Sequence, residues 1–160
     1  MTAGLEHYAH PGAWNDPDFL LTATSDLSPA KAQFSLWSMM AAPLIICGDL
    51  RHMSAATRTI LTNEEVIAVD QDVAGNATRV ASRGPRELWR RVLANGDRAL
   101  LVLNMASRGA EVAIDLAHVG LPRGRIYRVR DLWNHRTFTT RDHIRFRVAG
   151  HDVAMFRVST

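Results

Sequence analysis

Trp14-Asn15-Asp16-Pro17-Asp18-Phe19 sets two carboxylic acids either side of a proline, just behind a large aromatic ring and ahead of an apolar run. Pro17 fixes its own φ and drives Asp16 towards extended geometry, so a stiff backbone presents both acids. Asn, Asp and Pro are also the ordinary residues of a plain turn. The hexapeptide alone fits a site or a turn, and the segments around it decide between them.

Pro11-Gly12-Ala13 leads into the hexapeptide, and three further blocks follow in order. They are Phe34-Ser35-Leu36-Trp37-Ser38-Met39-Met40-Ala41-Ala42-Pro43-Leu44-Ile45-Ile46, Asp49-Leu50-Arg51-His52 and Val66-Ile67-Ala68-Val69-Asp70-Gln71-Asp72. Together they closely resemble the second half of the family 27 glycoside hydrolases, the melibiase-type α-galactosidases. The resemblance spans essentially the whole chain and is densest over residues 11–72. It implies an α/β plus all-β protein, with the last βα units of a (β/α)8 barrel over residues 1–73 and an antiparallel β-sandwich over 74–160. On that expectation the chain begins late in the barrel, and the missing N-terminal barrel half is an expected partner.

The residues support the same division by themselves. Phe19-Leu20-Leu21 reads as the end of a buried parallel strand. Ser28 and Pro29 read as the N-cap and first position of a helix running to about Ala41, with Phe34, Trp37 and Ala41 on one core-facing side. Pro43 stops it, and Leu44-Ile45-Ile46-Cys47 reads as a fully buried strand. Ser54 caps a helix over 55–62, and another begins near Asn63. This βα alternation belongs to a parallel sheet or barrel, whose chemistry sits at the C-terminal strand ends. Both acid-bearing turns, Asp16/Asp18 and Asp49, are expected at or beside such ends. Leu44, Ile45, Ile46, Trp37 and Met40 would lie on surfaces that a complete barrel covers, so self-association is expected.

Beyond Ala74-Gly75-Asn76-Ala77 the helical periodicity disappears. Arg86 to Val92 and Arg98 to Asn104 flank Asn95-Gly96, a strong hairpin signal. Further strand-like runs cover Glu111 to Leu116, Ile126 to Trp133, His143 to Val148 and Val153 to Val158. Ala149-Gly150-His151-Asp152 reads as the last hairpin. Short strands at regular spacing indicate a sandwich.

Composition narrows the function classes. The 160 residues are 47% hydrophobic and 22% charged, ordinary for a globular protein. No apolar run approaches the roughly 18 residues that span a bilayer, so no membrane partner is expected. Residues 1–8 lack the basic and apolar regions of a signal peptide. That fits a chain whose front lies upstream as well as a cytoplasmic protein, and localisation stays open. The single cysteine, Cys47, excludes an internal disulfide and reads as a small buried hydrophobe. Seven histidines show no metal-ligand spacing, so neither a metal nor a cofactor is expected. The net charge of +3 comes almost wholly from arginine. Alternating positions such as Arg128/Arg130 and Arg145/Arg147 read as solvated strand faces, not as a nucleic-acid interface.

Retaining glycoside hydrolysis needs two carboxyl groups about 5–5.5 Å apart on opposite faces of the sugar. Asp16 and Asp18, on one stretch of backbone, sit on a single side with Cβ atoms roughly 7 Å apart if extended. They are not assigned as the catalytic pair, and no other residue is. The resemblance agrees, since the family's nucleophile and acid/base aspartates lie upstream of this block. What it carries over is Asp18 and Phe19 as pocket-lining, substrate-binding residues, with Trp14 and Asp16 beside them. The family usually has methionine where Phe19 stands, glycine-asparagine where Ala23-Thr24 stand, and asparagine where Gly48 stands. The stretch from Ser28 to Phe34 is about two residues short of the family pattern, a rotation of roughly 200° at 3.6 residues per turn. A terminal α-galactoside is the implied substrate, with α-N-acetylgalactosaminide and β-L-arabinopyranoside as alternatives. The chain alone is expected to be inactive. The competing reading is a non-catalytic carbohydrate-binding or structural module that uses Trp89 or Trp133 as a platform.

Overall fold

The computed structural model describes residues 4–21 and 26–160. The Ala23-Thr24 departure lies outside them. Two short parallel strands, β1 (Leu20–Leu21) and β2 (Ile46–Cys47), pair in the register Leu20↔Ile46. Between them runs α1 (Leu27–Met39). Its N-cap is Asp26, whose carboxylate accepts from the Ser28 amide, not Ser28 as the sequence suggested. The helix starts two residues earlier because an aspartate can satisfy the same orphan donors. Pro29 is still tolerated, since amides of the first turn have no helical acceptor anyway. Ser35 and Ser38 are buried on α1 because each hydroxyl donates to the carbonyl one turn back, of Lys31 and Phe34.

Two shorter helices follow, α2 (Ala55–Leu61) capped by Ser54 and α3 (Glu64–Asp70) capped by Asn63. Residues 6–8, read as loop, form a single 3₁₀ turn. The largest departure concerns β2. Ile45 and Ile46 are 47% and 39% exposed and Cys47 is exposed, so the expected fully buried strand is absent. Among the described residues β2 has only β1 beside it, and two strands cannot cover each other's faces. Met40, expected on the same open surface, is buried instead beneath the end of α1.

The remaining chain builds two antiparallel sheets. Six strands lie in the order β3 (Thr78–Arg83), β4 (Arg86–Val92), β5 (Arg98–Asn104), β10 (Asp152–Ser159), β7 (Tyr127–Asp131) and β8 (Arg136–Thr140). The second sheet pairs β6 (Ala110–Asp115) with β9 (His143–Val148). The β4–β5 hairpin turns at Asn95-Gly96, with Gly96 at φ 88°. The expected last hairpin is not one. β9 pairs with β6 while β10 pairs with β5 and β7, so residues 149–151 cross from one sheet to the other. Gly150 permits the crossing, because a Cβ there would collide with the Ser107 carbonyl.

Two cores result. One fills the sandwich, with Tyr127, Ile144 and Phe156 among its members. The other joins the helices to the opposite face of the large sheet, bringing Phe34, Met39, Val66 and Val69 against Trp89, Leu101 and Met155. Arg91 anchors that junction. Fully buried, it donates to the carbonyls of Ser38 (2.8 Å), Asp72 (2.7 Å) and Ala74 (3.1 Å), at the C-terminal ends of α1 and α3. A cation there meets the negative helix ends and their unpaired carbonyls. Trp89 and Trp133 belong to the same junction and not to a sugar platform. Trp89 is buried and donates to Glu87, while Trp133 donates to Ser35 and packs edge-on against Phe34.

Candidate functional site

Asp18 adopts the left-handed conformation, with φ 78°. Aspartate is one of the few residues that tolerates this, because its short side chain can bond locally. Here its Oδ1 accepts from the Phe19 amide at 2.8 Å. Asp16 Oδ1 in turn accepts from the Asp18 amide at 2.9 Å, closing an Asx turn across Pro17. The acids therefore do not project from an extended backbone side by side. Asp16 braces the turn, while Asp18 is exposed and its Oδ2 has no protein partner among the described residues. Asn15 ties the front of the turn to the Leu5 carbonyl at 2.9 Å. Trp14 is half-buried and Phe19 is 51% exposed.

Two residues of α1 hold this turn, and neither was read from the sequence as part of it. Trp37 donates its indole N–H to the Asp18 carbonyl at 3.0 Å. Gln33 accepts from the Leu21 amide at 2.7 Å and donates to the Phe19 carbonyl at 3.2 Å, as a neighbouring strand would. The signal available was their spacing. Residues four apart share a helix face, and an amide beside an indole on an otherwise apolar face calls for a polar partner.

Residues 3–72 match the model of the family described as alpha galactosidase A, and residues 83–158 match the alpha galactosidase C-terminal beta sandwich domain. An α-galactosidase of Oryza sativa subsp. japonica is 39% identical over 152 residues, which cover 93% of this chain and 36% of that protein. The crystal structure of α-galactosidase I from Mortierella vinacea superposes with a TM-score of 0.92 at 27% identity, over 97% of this chain and 42% of that one. The α-galactosidase of Saccharomyces cerevisiae, solved with raffinose, shares the fold with a TM-score of 0.87 at 22% identity, over 99% of this chain and 49% of that one. The chain belongs to the family 27 glycoside hydrolases. It spans about a third of the length of the curated relatives it matches.

Within this family 27 chain, the other strand-end acid is already engaged. Asp49 caps a 3₁₀ turn by accepting from the Arg51 amide, and takes two guanidinium bonds from Arg51 and one contact from His52. Arg51 first, then His52, holds its carboxyl at about 2, so it stays ionised and gives up no proton near neutrality. Asp49 follows β2, whereas Asp18 precedes β1, and in a parallel pair those are opposite ends. The expectation of both acids at C-terminal strand ends therefore holds for Asp49 alone. Pro17 and the left-handed Asp18 delay the ladder until Leu20. A groove of about 700 Å³ lies elsewhere, between the two sheets of the sandwich, and shares no residue with the turn.

Proposed function

We propose that residues 14–19 form part of the wall of a sugar pocket, in an enzyme that hydrolyses terminal α-D-galactosides with retention of configuration. The observation that carries this is Asp18, a carboxylate with one oxygen unpartnered among the described residues, fixed by Asp16, Trp37 and Gln33. A rigid acceptor of that kind suits a sugar hydroxyl, and Phe19 beside it offers an apolar edge that narrows the pocket. Asp16 braces the turn, and the half-buried Trp14 beside it is read as a further residue of the pocket. In this reading residues 1–73 contribute the last units of a (β/α)8 barrel and residues 74–160 the sandwich that backs them.

None of the acids of this chain is the nucleophile or the acid/base. The covalent route needs two opposed carboxyl groups. Asp16 is spent on its turn, Asp49 is locked to Arg51, and Asp18 stands at the opposite end of the β1–β2 pair from Asp49. The 160 residues alone are therefore expected to release no p-nitrophenol from p-nitrophenyl α-galactoside, and turnover that copurifies with the chain and is lost in Asp18→Ala would overturn this. Joined to the upstream barrel of a family member, the chain should support hydrolysis of the α-galactoside ahead of the β-L-arabinopyranoside and the α-N-acetylgalactosaminide. The competing binding-module reading loses its main support with the burial of Trp89 and the packing of Trp133.

A further inference from the structure

The sandwich leaves one strand edge open onto a groove. β6 pairs with β9 from Ala110↔Val148 to Asp115↔His143, and along its other edge it has no strand among the described residues. Beside that edge runs the groove of about 700 Å³, floored by Val80, Leu88 and Val102 of the large sheet. β9 contributes only His143 and Arg145, every second residue, as one face of a strand must. β6 instead contributes the unbroken run from Glu111 to Asp115. Consecutive residues on one wall mean that the groove follows the strand's edge, where backbone amides and carbonyls are offered.

The charge of the groove is uneven. Arg83 and Arg86 stand directly opposite one another across β3 and β4, an arrangement that repels. Neither has an ion-pair partner among the described residues, while Arg145, which also touches the groove, lies on the outward side of β9. The three acids that line the groove among the described residues are already taken, Glu87 by Arg79 at 2.6 Å, Glu111 by Arg147 at 3.4 Å and Asp115 by Arg123 at 2.7 Å. No tryptophan, tyrosine or phenylalanine lines the groove among the described residues, so a sugar would find no indole, phenol or phenyl face to stack on.

We propose that the open edge of β6 accepts an extended, carboxylate-bearing peptide segment, which adds as a third strand and sets the acids of its inward face against Arg83 and Arg86. Strand addition draws affinity from main-chain bonds and selectivity from alternate side chains. Further along the same inward face, apolar side chains of the incoming strand would meet Val80, Leu88 and Val102. The surface is independent of the turn at residues 14–19, and its failure would leave the sugar site untouched.

The test is fluorescence anisotropy with the 160-residue chain and a short labelled peptide whose alternate positions carry glutamates and then valines, with serine at the positions between. Saturable binding is expected, at least about tenfold weaker for Arg83→Glu with Arg86→Glu, two lost charge pairs at a surface. Arg86→Ala alone repeats the test should the double variant fold poorly. N-methylating alternate peptide amides should abolish binding, and hydrogen exchange should slow at β6 amides when the unmodified peptide is present. No saturable binding, equal binding of the N-methylated peptide, or undiminished binding by both variants would overturn the proposal. So would a sulfated oligosaccharide that occupies the groove while the peptide does not.

Discussion

Arg130 grips Glu65 with two parallel bonds, Nε to Oε2 at 2.8 Å and Nη2 to Oε1 at 2.7 Å, and so ties α3 to β7 across the junction of helices and sheet. His135 approaches the same carboxylate at 2.6 Å. Arg130 first, with His135 assisting, draws the Glu65 carboxyl down to about 2 against the opposing effect of burial. A depressed acid stabilises the fold above its ordinary pKa, near 4.5, and that contribution is lost as pH falls towards 2. Both side chains are about a third exposed, so screening leaves roughly 1–2 kcal/mol. Arg130→Met should melt lower than the parent at pH 7, and the gap should close at pH 2–3 in paired thermal melts.

Asp70 works in the opposite direction. It is buried at the end of α3, with Oδ1 unpartnered among the described residues and Oδ2 accepting from Gln71 at 2.6 Å. Burial pushes its carboxyl up to about 6, which Gln71 and the Arg91 charge only partly offset. A raised acid stabilises the fold below its unfolded pKa, near 3.8, and the contribution is lost as pH rises through about 6. From Glu65 and Asp70 together, stability should peak between about pH 4 and 5. Asp70→Asn should stabilise the protein at pH 7 by about 1–3 kcal/mol and do little at pH 4, as read by urea denaturation at both. A variant no more stable at pH 7 would show that the cost of the buried charge is met elsewhere.

What the residues showed in advance was mostly local. Asn95-Gly96 located the β4–β5 hairpin because a two-residue turn is written in its own residues. β3 and β8 escaped because they are the two edges of the large sheet, with Arg136-Thr137-Phe138-Thr139-Thr140 almost uniformly exposed and β3 bulged between Arg79 and Ala81. An edge strand needs no apolar alternation. Arg130 read as a solvated strand residue, yet its partner lies sixty-five positions away, beyond any local pattern. The same limit hid the hold that Gln33 and Trp37 have on the Asp18 turn, whereas the brace from Asp16 spans two residues and was within reach of turn chemistry.

Ile45, Ile46, Leu21, Phe19 and Leu50 are all exposed at the β1–β2 end of the chain. Such a surface, with strand edges beside it, favours association. Light scattering at tens of micromolar should find the chain larger than a monomer. Ile45→Lys with Ile46→Lys should shift it towards the monomer without lowering its melting temperature, since neither side chain is in the core. A parent chain that stays monomeric would mean these side chains are tolerated singly.

The two acids of the turn should separate cleanly in an enzyme completed with a family barrel. Asp16→Asn keeps an oxygen that can accept from the Asp18 amide, so the turn and the kinetics should survive. Asp16→Ala removes that acceptor, and the loss should appear as lower stability, about 1 kcal/mol, with KM rising only as the turn loosens. Asp18→Asn also keeps its local bond, to the Phe19 amide, and so preserves the backbone. What it removes is the charge on the oxygen left for a sugar hydroxyl. A hydrogen bond to a charged group is worth roughly 1.5–3 kcal/mol, so kcat/KM for the α-galactoside should fall about ten- to a hundredfold at unchanged stability. Asp18→Gly supplies the control, because glycine accepts the left-handed φ freely and any extra loss there reports the side chain alone. Kinetics that respond to Asp16→Asn and ignore Asp18→Asn would reverse the roles, making Asp18 the brace and Asp16 the contact.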